Sequence, residues 1–460
     1  MVGSGVQGGV TANLEEDLMG YVGGDLQAEF MGRVREVPPA RCLVVPVDVG
    51  KTAAMALVAD IGGEMIVRPF RFALNTTGFA EFAASVTFAR VQRDALVCRV
   101  GVESAGHYHR TFVSRLVAAG FEVVELNPAA VTKAREQQLS ARLKTDERDL
   151  AAMVELLARG SGRPPQSRDD AMIEQAAWVA HRRRKWRAHV QLRQQIHAQL
   201  DLVFPGLAGC FANLLDAKSG WVIVRDIPSP ERIVRLGDDR LRAYVQRRGV
   251  RMTRRKAAEI VDAARIVLAL PKAERATLER ILAADIALLG EVEEQLHHAE
   301  TELEHVITDT PANVLLSLPG VGVLRASNYG AALGDPFRFT NSGAAYRFAG
   351  LIPARYESAG TARQGLGITK AGSVELRQAI IDLGMGLTNH EPDFAAYRAQ
   401  LRAAGKKHHV AQVAVGHRAH RLAFAMIRSQ DRYDPQRWTD SVNAGRSVMA
   451  KTSRAHQKAT

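Results

Sequence analysis

Cysteine is scarce in this sequence: Cys42, Cys98 and Cys210 are the only three in 460 residues. They show no CxxC spacing and no even-numbered framework, which excludes a disulfide-stapled scaffold and suits reduced thiols in a core. No apolar run is long enough to span a bilayer. The N-terminus has no basic segment followed by an apolar one. The reading is therefore a cytoplasmic protein with no membrane partner. No Ser-His-Asp pattern is visible, which argues against a hydrolase triad. Negative charge is in deficit, with 49 acidic side chains against 61 Lys and Arg and a net charge of +12. The basic residues cluster, and clustered cations point to a polyanion partner.

The chain is long enough for two or three domains. Residues 1–38, rich in Gly and acids, read as a disordered leader within which Met31 is an alternative start. Residues 39–167 read as an α/β layer domain. Short apolar runs at 42–49, 54–59 and 64–68 suit three adjacent strands. Strands at 96–103 and 121–126 then alternate with helices. Asn127-Pro128 opens a further helix. Strand signals nearly vanish over 168–310, which reads as a helical connector. There Leu278, Ile281, Leu282, Ile286, Leu289, Val292, Leu296 and Leu303 recur at close to 3.5 residues, the pattern of a coiled-coil arm. Residues 311–430 form a compact, mostly helical segment, and 431–460 a basic tail. The fold class is thus α/β plus α.

Four acidic residues carry most of the chemistry. Asp48 ends the apolar run Arg41-Cys-Leu-Val-Val-Pro-Val-Asp48, and Glu103 ends Leu96-Val-Cys-Arg-Val-Gly-Val-Glu103. Asp146 and Asp149, in Lys144-Thr-Asp-Glu-Arg-Asp149, open a helix on one face. A carboxylate at the end of a buried strand is costly unless paired or bound to a cation. Two strand-end carboxylates with an i, i+3 acidic pair suit Mg²⁺ or Mn²⁺. In a basic protein the matching substrate is a phosphodiester. Glu147 points away and reads as solvated. His107, Tyr108 and His109 follow Glu103 closely, as candidate phosphate or metal partners or as plain helix packing.

Three further motifs follow. Arg182, Arg183, Arg184, Lys185 and Arg187 surround Trp186 on a long helix, and Arg251-Met-Thr-Arg-Arg-Lys256 opens another basic segment. Leu318-Pro-Gly-Val-Gly322 makes a tight turn into a helix. The backbone N–H groups at Gly320 and Gly322 suit a phosphate, as in a helix-hairpin-helix element; a plain interhelical turn is the alternative. Ser358 lies in a glycine-rich stretch with Arg355, Arg363, Lys370 and Arg377 around it, and such cations stabilise an attacked phosphoryl group.

These residues resemble the DEDD-type insertion-sequence transposases, the insertion sequence 110 family, whose mobility is guided by a bridge RNA. The likeness runs through Val45-Pro-Val-Asp48, Val102-Glu-Ser-Ala-Gly-His-Tyr108, Leu126-Asn-Pro128 and Arg142-Leu-Lys-Thr-Asp-Glu-Arg-Asp149. It continues in Leu318-Pro-Gly-Val-Gly322, Phe339, Ala349-Gly-Leu-Ile-Pro353, Ser358-Ala-Gly360, Ile368-Thr-Lys-Ala-Gly372 and Leu376-Arg377. The resemblance implies a ribonuclease H-like N-terminal domain, a coiled-coil connector and a C-terminal domain with a nucleophilic serine. Carried over by motif, Asp48, Glu103, Asp146 and Asp149 are the metal ligands and Ser358 the nucleophile. The family often has Ser-Gly where this chain has Ser358-Ala359-Gly360, and Gly-Asn where Gly372-Ser373 stands, so Ser373 is a rival serine. It also usually has Thr-Gly where Ser104-Ala105 follows Glu103. The implied partners are donor and target DNA, a structured guide RNA and further copies of the chain, as dimer or tetramer. A Holliday-junction-type nuclease would need the four carboxylates but not Ser358. A non-catalytic nucleic-acid-binding assembly protein would need neither.

Overall fold

The computed structural model describes residues 22–104, 107–138, 146–165, 169–268, 270–354, 357–358, 361–362 and 367–436. The apolar runs of the N-terminal region become strands because turn residues bound them. β1 (Cys42–Val49), β2 (Ala53–Asp60) and β3 (Met65–Ala73) form an antiparallel meander. Gly63, at φ +91°, supplies the left-handed residue between β2 and β3. α2 (Thr76–Gln92) leads to β4 (Val97–Glu103), α3 (His109–Ala118) to β5 (Glu122–Leu126). β4 lies parallel to β1, and β5 parallel to β4, giving a mixed sheet of order β3-β2-β1-β4-β5.

Both sheet faces are covered, so β1 is buried along nearly its whole length. One face packs Val45, Val47, Val100 and Val102 against Phe82 and Val86 of α2 and Phe112 and Leu116 of α3. The other packs Val44, Leu57, Val124 and Leu126 against Val131 of α4 (Pro128–Gln138) and Leu150, Met153 and Leu157 of α5 (Asp146–Ala158). Asn127 accepts from the Ala129 N–H at 2.9 Å and so caps α4.

The expected leader is structured over part of its length. Val22–Arg35 form a helix, α1, whose Phe30 and Val34 are buried against Cys42 and Val97. Arg99 stacks over the Phe30 ring at 3.5 Å. Glu122 accepts from both Arg33 and Arg99 at 2.7 Å. Burial alone would raise the Glu122 pKa, but the two guanidinium groups overcome this and hold it below the usual carboxylate range. The three cysteines are free thiols, and burial pushes Cys98 up to about 11.

The chain divides into two compact units. The first joins residues 1–168, with the sheet, to 333–377 and 420–428; the second joins 169–332, 378–419 and 429–460. The segment 311–430, expected as one domain, is thus shared between them. In the second unit α6 (Asp170–Val203) lies antiparallel to α10 (Lys272–Val306). The pairs Arg182–Glu300, His189–Glu293 and Gln199–Asp285 tie them along their length. The stripe Leu282, Ile286, Leu289, Val292, Leu296 is buried in this pairing. The near-heptad stripe of the expected coiled-coil arm thus finds its partner helix within the same chain. Between the long helices, α7 (Lys218–Asp226), α8 (Pro230–Gln246) and α9 (Arg254–Arg265) close the same core through Ile223, Leu241, Val245 and Ile260. Among the described residues, no helix is long and apolar enough to cross a membrane.

Candidate active site

The strand register fixes the first two acids. β1 and β4 are in parallel register up to Val47 opposite Val102. Asp48 and Glu103 each follow by one residue, so they stand level at the C-terminal ends of adjacent strands. Side chains alternate along a strand. Val44 lies in the core beneath α5, which places Asp48, four residues on, on that face. A Cβ added to Gly101 would lie 2.4 Å from Leu157 of α5, which places Glu103 there too. The glycine lets α5 settle against the strand; glycine inside a strand is the sequence signal of such an approach.

α5 begins at Asp146 and carries Asp149 to the same face. Asp149 is only 3% exposed, and its Oδ1 accepts from Arg135 Nη1 of α4 at 2.5 Å. Nothing in the sequence pattern singled out Arg135. Glu147 is exposed, in keeping with its expected solvation. The Asp146 side chain lies outside the described residues. Among the described residues no three acidic, His or Cys side chains are gathered as a metal-holding group. The donor set is nonetheless all oxygen, which fits a hard divalent cation.

His109 belongs elsewhere. It is buried, with Nε2 3.4 Å from Glu125 Oε1. Glu125 shares the strand face of Val123, the α3 side of the sheet. The pair is thus on the opposite face from Asp48 and Glu103. His107 and Tyr108 are exposed, their rings 4.2 Å apart.

The serine segment is a small hairpin on a fixed stem, built after α12 (Ser342–Phe348). Ala354 N–H donates to Gly367 O at 2.8 Å, Thr369 to Ile352 at 2.9 Å and Lys370 to Gly350 at 3.0 Å. At its tip β6 (Glu357–Ser358) pairs with β7 (Thr361–Ala362), with Ser358 opposite Thr361. Gly350 and Gly372 close the stem. A Cβ on Gly372 would meet Phe348 O at 2.2 Å. Arg377 Nη1 donates to Ala349 O at 2.8 Å and Lys370 O at 3.3 Å, so this guanidinium braces the stem. Lys370 is exposed, at φ +54°. Ser373 Oγ accepts from the Leu376 N–H at 3.1 Å as N-cap of α13 (Val374–His390). The rival serine thus has a structural task. The side chain of Ser358 and residues Arg355 and Arg363 lie outside the described residues. Arg163, from the sheet-bearing part of this unit, stacks over Phe348 at 5.3 Å, just before the stem.

The other basic and glycine motifs are divided in their roles. Arg182 is paired to Glu300, whereas Arg184 and Arg187 are exposed. Lys185 is half-buried, and Arg183 is engaged elsewhere. Trp186 is 48% exposed and stacks on His189 at 5.1 Å. Gly320, at φ +72°, packs where a Cβ would meet His390 and Gly386, so it serves an interhelical turn. Gly322 faces open space before α11 (Val323–Leu333).

Known proteins match along both regions. Residues 45–205 match the DEDD IS110 family model described as Transposase, and 312–399 the model described as Transposase IS116/IS110/IS902 family. The insertion element IS116 uncharacterized 44.8 kDa protein of Streptomyces clavuligerus is 25% identical over 68% of this chain and 77% of its own. The insertion element IS110 uncharacterized 43.6 kDa protein of Streptomyces coelicolor is 26% identical over 52% of this chain and 59% of its own. The insertion element IS900 uncharacterized 42 kDa protein of Mycobacterium paratuberculosis is 21% identical over 85% and 96%. The matched segments take in the acidic sheet face and the serine hairpin, and the chain belongs to the IS110 family of transposases.

Proposed function

We propose that this transposase cuts and rejoins DNA through a phosphodiester bond to Ser358, at a site shared with Asp48, Glu103, Asp146 and Asp149. The observation that carries the reading is that the serine hairpin and the acidic sheet face belong to one compact unit. Ser358 Oγ attacks the scissile phosphorus and loses its proton, and the deoxyribose oxygen leaves as a hydroxyl. A hydroxyl from another strand then attacks the phosphoserine and restores the serine. The bond energy is conserved across the exchange. The four carboxylates would hold Mg²⁺ or Mn²⁺, which supplies charge stabilisation to the phosphoryl group when bound. The braced stem holds the hairpin against displacement while the phosphate is positioned. The strand order supports a ribonuclease H-like domain. The +12 charge supports a structured guide RNA beside donor and target DNA. Cutting both half-sites of a duplex calls for a dimer or tetramer. Cleavage of a cognate insertion-end duplex by Ser358→Ala and Asp48→Asn tests the reading, and both should be inactive. Free-ended cleavage by Ser358→Ala would instead make the acidic site a nuclease on its own.

A further inference from the structure

We propose that the helical hairpin α8–α9 is a docking surface for the phosphate backbone of duplex DNA. Residues 230–256 hold ten Arg and Lys against three carboxylates, a net +7 within a chain of net +12. Some of these cations are committed. Arg254 pairs with Asp239 at 2.9 Å, Lys256 with Glu259 at 2.8 Å, and Arg248 with Asp226. Arg235, Arg240, Arg247, Arg251 and Arg255 are exposed, and their side chains form no ion pair or hydrogen bond among the described residues.

Fold stability gives no reason for them. The hairpin is held from its other side by Ile233, Leu241, Val245, Met252, Ile260 and Val261. Arg254 and Arg255 open α9, where cations oppose the helix dipole. The α6 run is smaller: Glu300 takes Arg182, which leaves Arg184 and Arg187 as its exposed cations. Gly237 kinks α8 between Arg235 and Arg240, and the chemistry that satisfies exposed, unpaired arginines on such a packed helical surface is a set of phosphates. The surface also lacks a free stacking platform. Tyr244 is half-buried and covered by Arg248, whose guanidinium carbon lies 3.6 Å from the ring centroid. Unpaired bases need such a ring, so the fit is to a duplex, and the family's substrate makes that duplex DNA.

This rests on the reading of the chain as one that acts on DNA. The test measures binding of the full chain to random-sequence duplex DNA, and to duplex RNA of equal length, across a salt series. The variant combines Arg240→Gln, Arg247→Gln, Arg251→Gln and Arg255→Gln; a second carries Lys at the same four positions. The slope of log affinity against log salt should fall by about 1 for each phosphate that is no longer neutralised, so by about 4 in the Gln variant on DNA. The Lys variant should keep the wild-type slope, and both should keep the wild-type melting temperature. An unchanged slope in the Gln variant overturns the surface. A change confined to RNA overturns the DNA assignment. A wild-type chain that binds no duplex DNA at all would fail the underlying reading instead.

Discussion

Arg135 Nη1 lies 2.5 Å from Asp149 Oδ1, and Asp149 is 3% exposed. A buried carboxylate is held here by one guanidinium, on the same sheet face as Asp48 and Glu103. Removing one partner of a buried pair leaves the other charge uncompensated, at a cost of about 3 kcal/mol. Arg135→Gln should melt well below the wild type in a chelator. Added Mn²⁺ should raise the variant's melting temperature more than the wild type's, because a bound cation replaces the lost one. Equal melting temperatures without metal would show that the pair is not needed.

Gly101 sets how closely α5 approaches β4. A methyl there overlaps Leu157, and overpacking of this kind costs roughly 1–3 kcal/mol. Gly101→Ala should lower the denaturant midpoint, and adding Leu157→Ala should recover part of the loss. Strictly additive effects in the double variant would contradict direct contact.

Glu122 gives a pH signature. Its folded pKa is depressed by Arg33 and Arg99. Its stabilisation is therefore fully present above the unfolded carboxyl value and is lost as pH falls through the folded one. The stability gap between wild type and Glu122→Gln should be flat near neutrality and should close in acid. A gap that widens on acidification would reverse the sign and refute the ion-pair account.

Ser373 and Ser358 should separate cleanly. Ser373→Ala removes the α13 cap and should cost about 1 kcal/mol of stability. Strand cleavage by the folded variant should persist. Loss of cleavage with unchanged stability would make Ser373 more than a cap.

β1, β2 and β4 were legible as apolar runs that give way to turn residues, as at Gly50. β3 runs on from the expected 64–68 to Ala73 through Arg68, Pro69 and Arg71, polar positions of a less buried strand that break the apolar pattern. The level placement of Asp48 and Glu103 follows from two parallel strands ending alike. α1 was not legible: it buries Phe30 and Val34 in an otherwise acidic, glycine-rich stretch, too short a stripe to stand out. The stripe on α10 was visible, but a near-heptad pattern is the same whether the partner helix belongs to the same chain or another. The bracing partners of Arg377, Ala349 O and Lys370 O, and the helix neighbours of Gly320, His390 and Gly386, were not legible because they lie away from the local motifs. The sharing of 311–430 between two units depends on tertiary packing that no local pattern records.

The most direct measurement traps the protein on a suicide DNA substrate, whose cut strand diffuses away, and maps the adduct by peptide mass. The account predicts a phosphodiester on Ser358, formed only with a divalent cation and absent from Asp48→Asn and Glu103→Gln. An adduct on Ser373, or cleaved DNA with free ends and no protein attached, would contradict it.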